Sequence, residues 1–245
     1  MTSLAAILFD IDDTLCATTA FAKRARRAAV HAMVEAGLPC EEDVVLRELD
    51  EVLIEFGSNY DHHYDKLIQR LCPSGLSGVN PALVVAAGVV AYHDTKFNEL
   101  APFDDVKPLF EDLERAGIRI GIITHGWTVK QAEKLVRMGL VPYLEPESIF
   151  ISDQIGIAKP NPKIYKAALR DLGLEANQAM YVGDNLIHDI APAQSVGMTA
   201  VWARRAAKRK LLGTGIEPDH TIESFDELRE LLATGYGVAF PKKTA

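Results

Sequence analysis

Asp10, Asp12 and Asp13 follow directly on a short apolar run, Leu4 to Phe9. Three similar runs also end in polar residues suited to phosphate or metal chemistry. Thr124-His125-Gly126 close the run from Ile118, Lys159 lies beyond Ser148 to Ser152, and Asp184, Asn185 and Asp189 follow Ala179 to Val182. In an extended segment Asp10 and Asp12 project to one side, with Ile11 turned away. One carboxylate could attack an electrophile, and the other could protonate the leaving group and then deprotonate water. The second role needs a pKa well above the aspartate reference of about 3.9. Clustered carboxylates repel one another, and a lysine with a divalent cation is the natural compensation. Oxygen-only ligands point to a hard ion such as Mg²⁺. The lack of histidine and thiolate partners disfavours zinc.

These residues need a frame. The apolar runs at Leu4–Phe9, Ile118–Thr124, Ser148–Ser152, Ala179–Val182 and Thr199–Trp202 read as buried strands. Helical periodicity lies between the last four, over Thr128–Met138, Pro162–Leu172 and Ile187–Val196. Strands alternating with helices predict an α/β fold with a Rossmann-like parallel sheet. Such sheets bind ligands beyond the carboxyl ends of their strands, where all the polar residues above fall.

Residues 18–99 break this rhythm. Helical pattern dominates over Phe21–Ala36, Glu41–Phe56, Tyr60–Leu71 and Pro81–Asn98, with Gly37 and Gly57 at two helix ends. The expected organisation is a core of residues 1–16 and 101–245 with an all-helical insertion over 17–100. Hinges are expected around Cys16 to Thr19 and Ala101 to Asp104.

Asp10-Ile11-Asp12-Asp13-Thr14-Leu15 resembles the first motif of the haloacid dehalogenase (HAD) superfamily of hydrolases. Ile122 to Gly126, Lys159 before Pro160, and Gly183-Asp184-Asn185 through Asp189 resemble the other three, in the expected order. The resemblance implies a HAD core with a helical C1 cap and a Mg²⁺-dependent phosphatase. It implies that Asp10 is the nucleophile forming an aspartyl-phosphate and that Asp12 is the acid and then the base. Thr124, with the backbone at His125 and Gly126, binds phosphoryl oxygen, and Lys159 neutralises charge. Asp184 holds Mg²⁺ with Asp10 and the carbonyl of Asp12, supported by Asp189. Two positions depart from the pattern: His125 stands where Asn or Asp is usual, and Asp13 where Gly is usual. Asp13 is read as structural support.

A cap that closes over the core excludes water and selects the leaving group, which implies a small phosphorylated metabolite. His62, His63, His93 and Lys96 lie in polar, aromatic stretches of the insertion and are candidates to face the site. The resemblance leaves a phosphosugar mutase, a 2-haloacid dehalogenase and a non-enzymatic phosphate-binding regulator as alternatives. Asp12 argues against the dehalogenase, whose chemistry does not need an acid there.

Composition sets outer limits. The 245 residues are 48% apolar and 24% charged, which is ordinary globular usage. A net charge of −8 argues against nucleic-acid and anionic-membrane partners. Two basic clusters, Lys23 to Arg27 and Arg204 to Lys210, read as solvated faces. Cys16, Cys40 and Cys72 show no zinc or redox spacing, and their odd number suits a reducing cytoplasm. The expected state is a cytoplasmic monomer or homodimer, without a signal peptide or membrane span.

Overall fold

The computed structural model describes residues 4–207 and 215–240. Its contacts divide the chain into two compact units, Met1–Ala17 with Ala101–Ala245, and Thr18–Leu100.

The first unit carries six parallel strands: β1 (Ala6–Phe9), β2 (Arg119–Thr124), β3 (Ile149–Ile151), β4 (Ala179–Gly183), β5 (Thr199–Ala203) and β6 (His220–Ile222). Their spatial order is β3-β2-β1-β4-β5-β6. Leu8 pairs with Gly121 on one side and Tyr181 on the other, so β1 is central. Connections run outward in opposite senses from β1 and β4, and the crevice at such a reversal is where open sheets bind ligands.

Period-two alternation along β1 builds two cores. Ala6 and Leu8 join Tyr181 and Trp202 in a buried cluster with Tyr165, Ala168 and Leu172 of the helix Lys163–Leu172. Phe9 points the other way. Its ring lies 5.2 Å from Phe110 in the helix Val106–Arg115 and 5.9 Å from Phe225 in the helix Phe225–Gly235. Each such aromatic pair adds about 0.5–1.5 kcal/mol beyond area burial. The sheet is therefore covered on both faces, which explains its unbroken apolar strands.

Three features depart from the sequence reading. Strand β6 and the helices Val106–Arg115 and Phe225–Gly235 had no assigned pattern. The run expected as a strand to Ser152 ends at Ile151, and Ser152 opens a short helix to Ile155. The helix expected over Ile187–Val196 is a π-helical turn, Leu186–Ile190, followed by a short helix, Ala191–Ser195. Pro192 explains the break: it has no N–H for the carbonyl of His188. The Tyr165 hydroxyl donates to that carbonyl instead, at 2.9 Å.

The second unit contains four helices: Thr18–Glu35, Glu42–Phe56, His63–Leu71 and Pro81–Glu99. Val30, Met33, Val45, Leu49, Leu67 and Val84 centre its own core. The first and last helices run antiparallel. Arg24 Nε lies 2.5 Å from Glu99 Oε2, and the Phe21 and Tyr92 rings are 6.4 Å apart. The last helix also exposes Leu83, Val90 and Phe97 along one stripe. Within this unit the His63 ring bonds the Gly57 carbonyl at 2.8 Å, and His62 pairs with Asp65. Burial, then the neighbouring Cys72 thiol, raises the Cys40 pKa.

The basic clusters are interleaved with acids. Lys23, Arg26, Arg27 and Arg47 line a groove with Asp43 and Asp50, while Arg204 pairs with Glu223 and Arg205 with Asp105. Lys208 to Lys210 lie outside the described residues. No helix among the described residues is long and apolar enough to cross a membrane.

Candidate active site

Asp10 continues from β1 with its amide bonded to the Val182 carbonyl, so its carboxylate emerges at the reversal between β1 and β4. Lys159 reaches it from the loop beyond β3. The ammonium donates to Asp10 Oδ1 at 2.7 Å and to Asp189 Oδ1 at 2.6 Å, and all three side chains are buried. Tyr181 lies below, 3.2 Å from the Lys159 Nζ, and its hydroxyl donates to the Ile123 carbonyl at 2.9 Å.

Asp189 is seated by its turn. Its Oδ2 accepts from the Asn185 amide at 3.0 Å, while the Asn185 side chain caps Ile187 and His188. Gly183 makes this approach possible, since a Cβ there would lie 2.5 Å from Asp189 Cγ. Asp184 is fixed through its own backbone, whose carbonyl accepts from the Trp202 indole at 2.8 Å.

Asp10, Asp184 and Asp189 each offer a carboxylate oxygen, and these oxygens lie within 4.8 Å of one another. This is the one metal-capable grouping found among the described residues. Burial, followed by the charges of Asp189 and Asp12, pushes Asp10 up to about 7 despite Lys159. Burial and the charges of Asp10, Asp189 and Asp13 push Asp184 up to about 8. Burial opposes the Lys159 charge, but Asp10 and Asp189 outweigh it and hold the ammonium firmly protonated. With all three carboxylates ionised, one lysine would leave an excess of two negative charges, which a divalent cation would offset.

The end of β2 supplies a neutral donor. Thr124 is fully buried, and its hydroxyl has no hydrogen-bond partner among the described residues. A buried orphan hydroxyl costs about 1–3 kcal/mol unless an acceptor meets it. The Gly126 amide donates to Ser152 Oγ at 3.0 Å, and the His125 side chain is exposed. Burial, then the Lys159 charge, lowers the His125 pKa.

Asp12 stands apart from the carboxylate cluster. Its Oδ1 meets Lys134 Nζ at 2.5 Å and its Oδ2 accepts from Gln131 Nε2 at 3.0 Å. Both partners come from the helix Thr128–Met138, where three-residue spacing sets them on one face. Asp13 has φ +58°, a left-handed conformation free to Gly and tolerated by Asp. That accounts for the residue that replaces the expected glycine.

Asp10, Thr124, Lys159 and Asp184 thus stand at or beyond the ends of four strands, while Asp12 turns to the helix Thr128–Met138 and the His125 ring is exposed. Sequence reasoning missed Lys134, Gln131 and Tyr181. The two helical residues had a legible signal, a polar pair three apart directly after the Thr-His-Gly loop.

The family model for haloacid dehalogenase-like hydrolases matches residues 7–203. The chain belongs to this family. Two relatives put this hydrolase on the phosphatase side of the family. It is 44% identical over 234 residues to the glyceraldehyde 3-phosphate phosphatase of Methanopyrus kandleri, covering 93% of this chain and 95% of that one. It is 36% identical to the protein of the same name from Methanothermobacter thermautotrophicus, covering 94% and 100%. Among solved structures, a HAD phosphatase from Thermococcus onnurineus superimposes with a TM-score of 0.63 at 27% identity, covering 93% and 97%.

Proposed function

We propose that this hydrolase removes phosphate from glyceraldehyde 3-phosphate through an aspartyl-phosphate on Asp10. The observation that carries the chemistry is the buried Asp10 carboxylate clamped by Lys159 beside Asp184 and Asp189. The substrate follows from likeness to the phosphatases above, which spans nearly the full length of both chains.

An Asp10 oxygen attacks phosphorus, and the bond from phosphorus to the ester oxygen breaks. Asp12, which must enter this step protonated, gives that proton to the departing alkoxide. It then takes a proton from the water that attacks the phosphorus, and cleavage of the Asp10–phosphorus bond releases phosphate. Thr124 donates its orphan hydroxyl to a phosphoryl oxygen, with the backbone at His125 and Gly126 beside it. Lys159 holds Asp10 and offsets charge on the phosphoryl group. This is catalysis by positioning and electrostatics.

Mg²⁺ suits the all-oxygen donor set and the excess of two negative charges. Asp10, Asp184 and the Asp12 carbonyl would hold it, with Asp189 in support, and it supplies charge neutralisation at the phosphoryl group. The helical unit Thr18–Leu100 acts as the C1 cap that selects the leaving group. The setting is the cytoplasm.

The test is phosphate release from glyceraldehyde 3-phosphate and a panel of sugar phosphates, phosphoglycolate and nucleotides. It is run with Mg²⁺, with chelator, and with Asp10→Asn. Release that needs both Mg²⁺ and Asp10, and that is fastest for glyceraldehyde 3-phosphate, is expected. Release that persists in Asp10→Asn refutes the nucleophile, and preference for another ester refutes the substrate.

A further inference from the structure

We propose that Lys134 and Gln131 form a positioning pair that aims the Asp12 carboxylate at the leaving-group oxygen. The inference rests on the phosphatase reading and adds residues that lie outside the four motifs.

The two oxygens of Asp12 are held separately, Oδ1 by Lys134 and Oδ2 by Gln131. Holding both fixes the plane of the ionised carboxylate as well as its position; in the acid step one donor gives up its oxygen to a proton while the other keeps the plane. The contact is sheltered, with 15% of the Lys134 side chain exposed. Gln131 is buried, and its amide nitrogen serves two acceptors: Asp12 at 3.0 Å and the His125 carbonyl at 2.6 Å. One side chain therefore ties Asp12 to the loop that follows Thr124.

Two further observations fit positioning better than stability. Gln131 Oε1 is buried with no partner among the described residues, so the amide is oriented by its two acceptors at the expense of its own oxygen. A flipped amide would turn that oxygen toward both acceptors. The loop also makes room for this seat: Gly126 has φ +145°, and a Cβ there would lie 2.5 Å from Gln131 Nε2. A surface ion pair would need neither the orphan oxygen nor the glycine.

The role predicts a dependence on leaving group. A sugar alkoxide must be protonated as it departs, whereas p-nitrophenolate leaves without an acid. The experiment measures kcat and KM of the full chain with Mg²⁺ on glyceraldehyde 3-phosphate and on p-nitrophenyl phosphate. For Lys134→Met, kcat on the sugar ester should fall about 10- to 100-fold, part of what a positioned acid contributes. KM should hold, and the aryl ester should lose far less. Lys134→Arg should recover most of the sugar-ester rate, and Gln131→Leu should repeat the selective loss. Equal losses on both esters, or no loss on either, would overturn the pair's role while leaving the phosphatase standing. Wild-type protein that leaves both esters intact overturns the phosphatase reading, and this inference with it.

Discussion

Lys159 Nζ lies 2.7 Å from Asp10 Oδ1 with both side chains buried, so the proposed nucleophile is paired before any substrate arrives. Removing the cation strands Asp10 and Asp189 without their shared donor. Breaking a buried pair by deleting one partner costs about 3–5 kcal/mol. Lys159→Met should therefore lower the unfolding free energy of metal-free protein by that order and abolish turnover. Denaturant melts and phosphate release check both, and a variant as stable as wild type would contradict the buried pairing.

Thr124 predicts the opposite balance. Its hydroxyl is buried and unpartnered, so Thr124→Val removes a polar group that gains nothing from folding. Stability should hold or rise by about 1 kcal/mol. Turnover should fall by about 100-fold, the cost of one lost donor to developing charge. A variant that is less stable yet fully active would refute the assignment.

Gly183 is a steric prediction. A Cβ would lie 2.5 Å from Asp189 Cγ, against a side chain pinned by Lys159 and Asn185. Gly183→Ala should push Asp189 out and weaken Mg²⁺ binding at least about 10-fold, as loss of supporting contacts does elsewhere. Isothermal titration of wild type and variant is the check, and unchanged affinity would count against Asp189 as a support.

The raised carboxylates set a pH dependence. Asp10 titrates near about 7 and Asp184 near about 8, both starting from an ordinary value of 3.8. The folded metal-free protein thus holds protons that the unfolded chain has released, and it loses stability as pH rises from about 4 to about 8. Mg²⁺ competes with those protons, so its affinity and the melting-temperature rise it produces should grow from about pH 6 to about pH 8. Thermal melts with and without Mg²⁺ across that range test the sign. A Mg²⁺ shift that shrinks as pH rises would show that these carboxylates are not its ligands.

Much of the site was legible because parallel strands announce themselves. Each buried run ends abruptly, and the polar residue at or just after its end stands on the edge where open sheets bind ligands, as with Asp10, Thr124 and Asp184. Lys134 and Gln131 left only a faint trace, a polar pair soon after the Thr-His-Gly loop, since such a pair on a helix means solvent unless the helix is turned toward a loop. Tyr181 hid for the converse reason: in a buried strand an aromatic residue reads as packing, and its hydroxyl acquires meaning only beside Lys159. The π-helical turn at Leu186–Ile190 depends on Pro192 and on Tyr165, which lies far away in sequence. Strand β6 is three residues long, too short to carry a period.

The antiparallel pairing of the first and last helices of Thr18–Leu100 bears on how the chain acquires its fold. The central strand, β1, must wait for β2 and β4, from which the whole helical unit separates it in sequence. A flexible insertion of that length would add loop-closure entropy to every attempt at pairing. A unit with its own core, whose ends are brought together near Arg24 and Glu99, shortens the effective loop between β1 and β2 once it has formed. Folding of the helical unit ahead of the sheet would therefore lower the cost of bringing β1 to β2. Until β2 and β4 are synthesised, Ile7, Leu8 and Phe9 remain an uncovered apolar segment. A chain that ends before β2 would thus carry these residues without their sheet partners, the kind of exposure that favours aggregation.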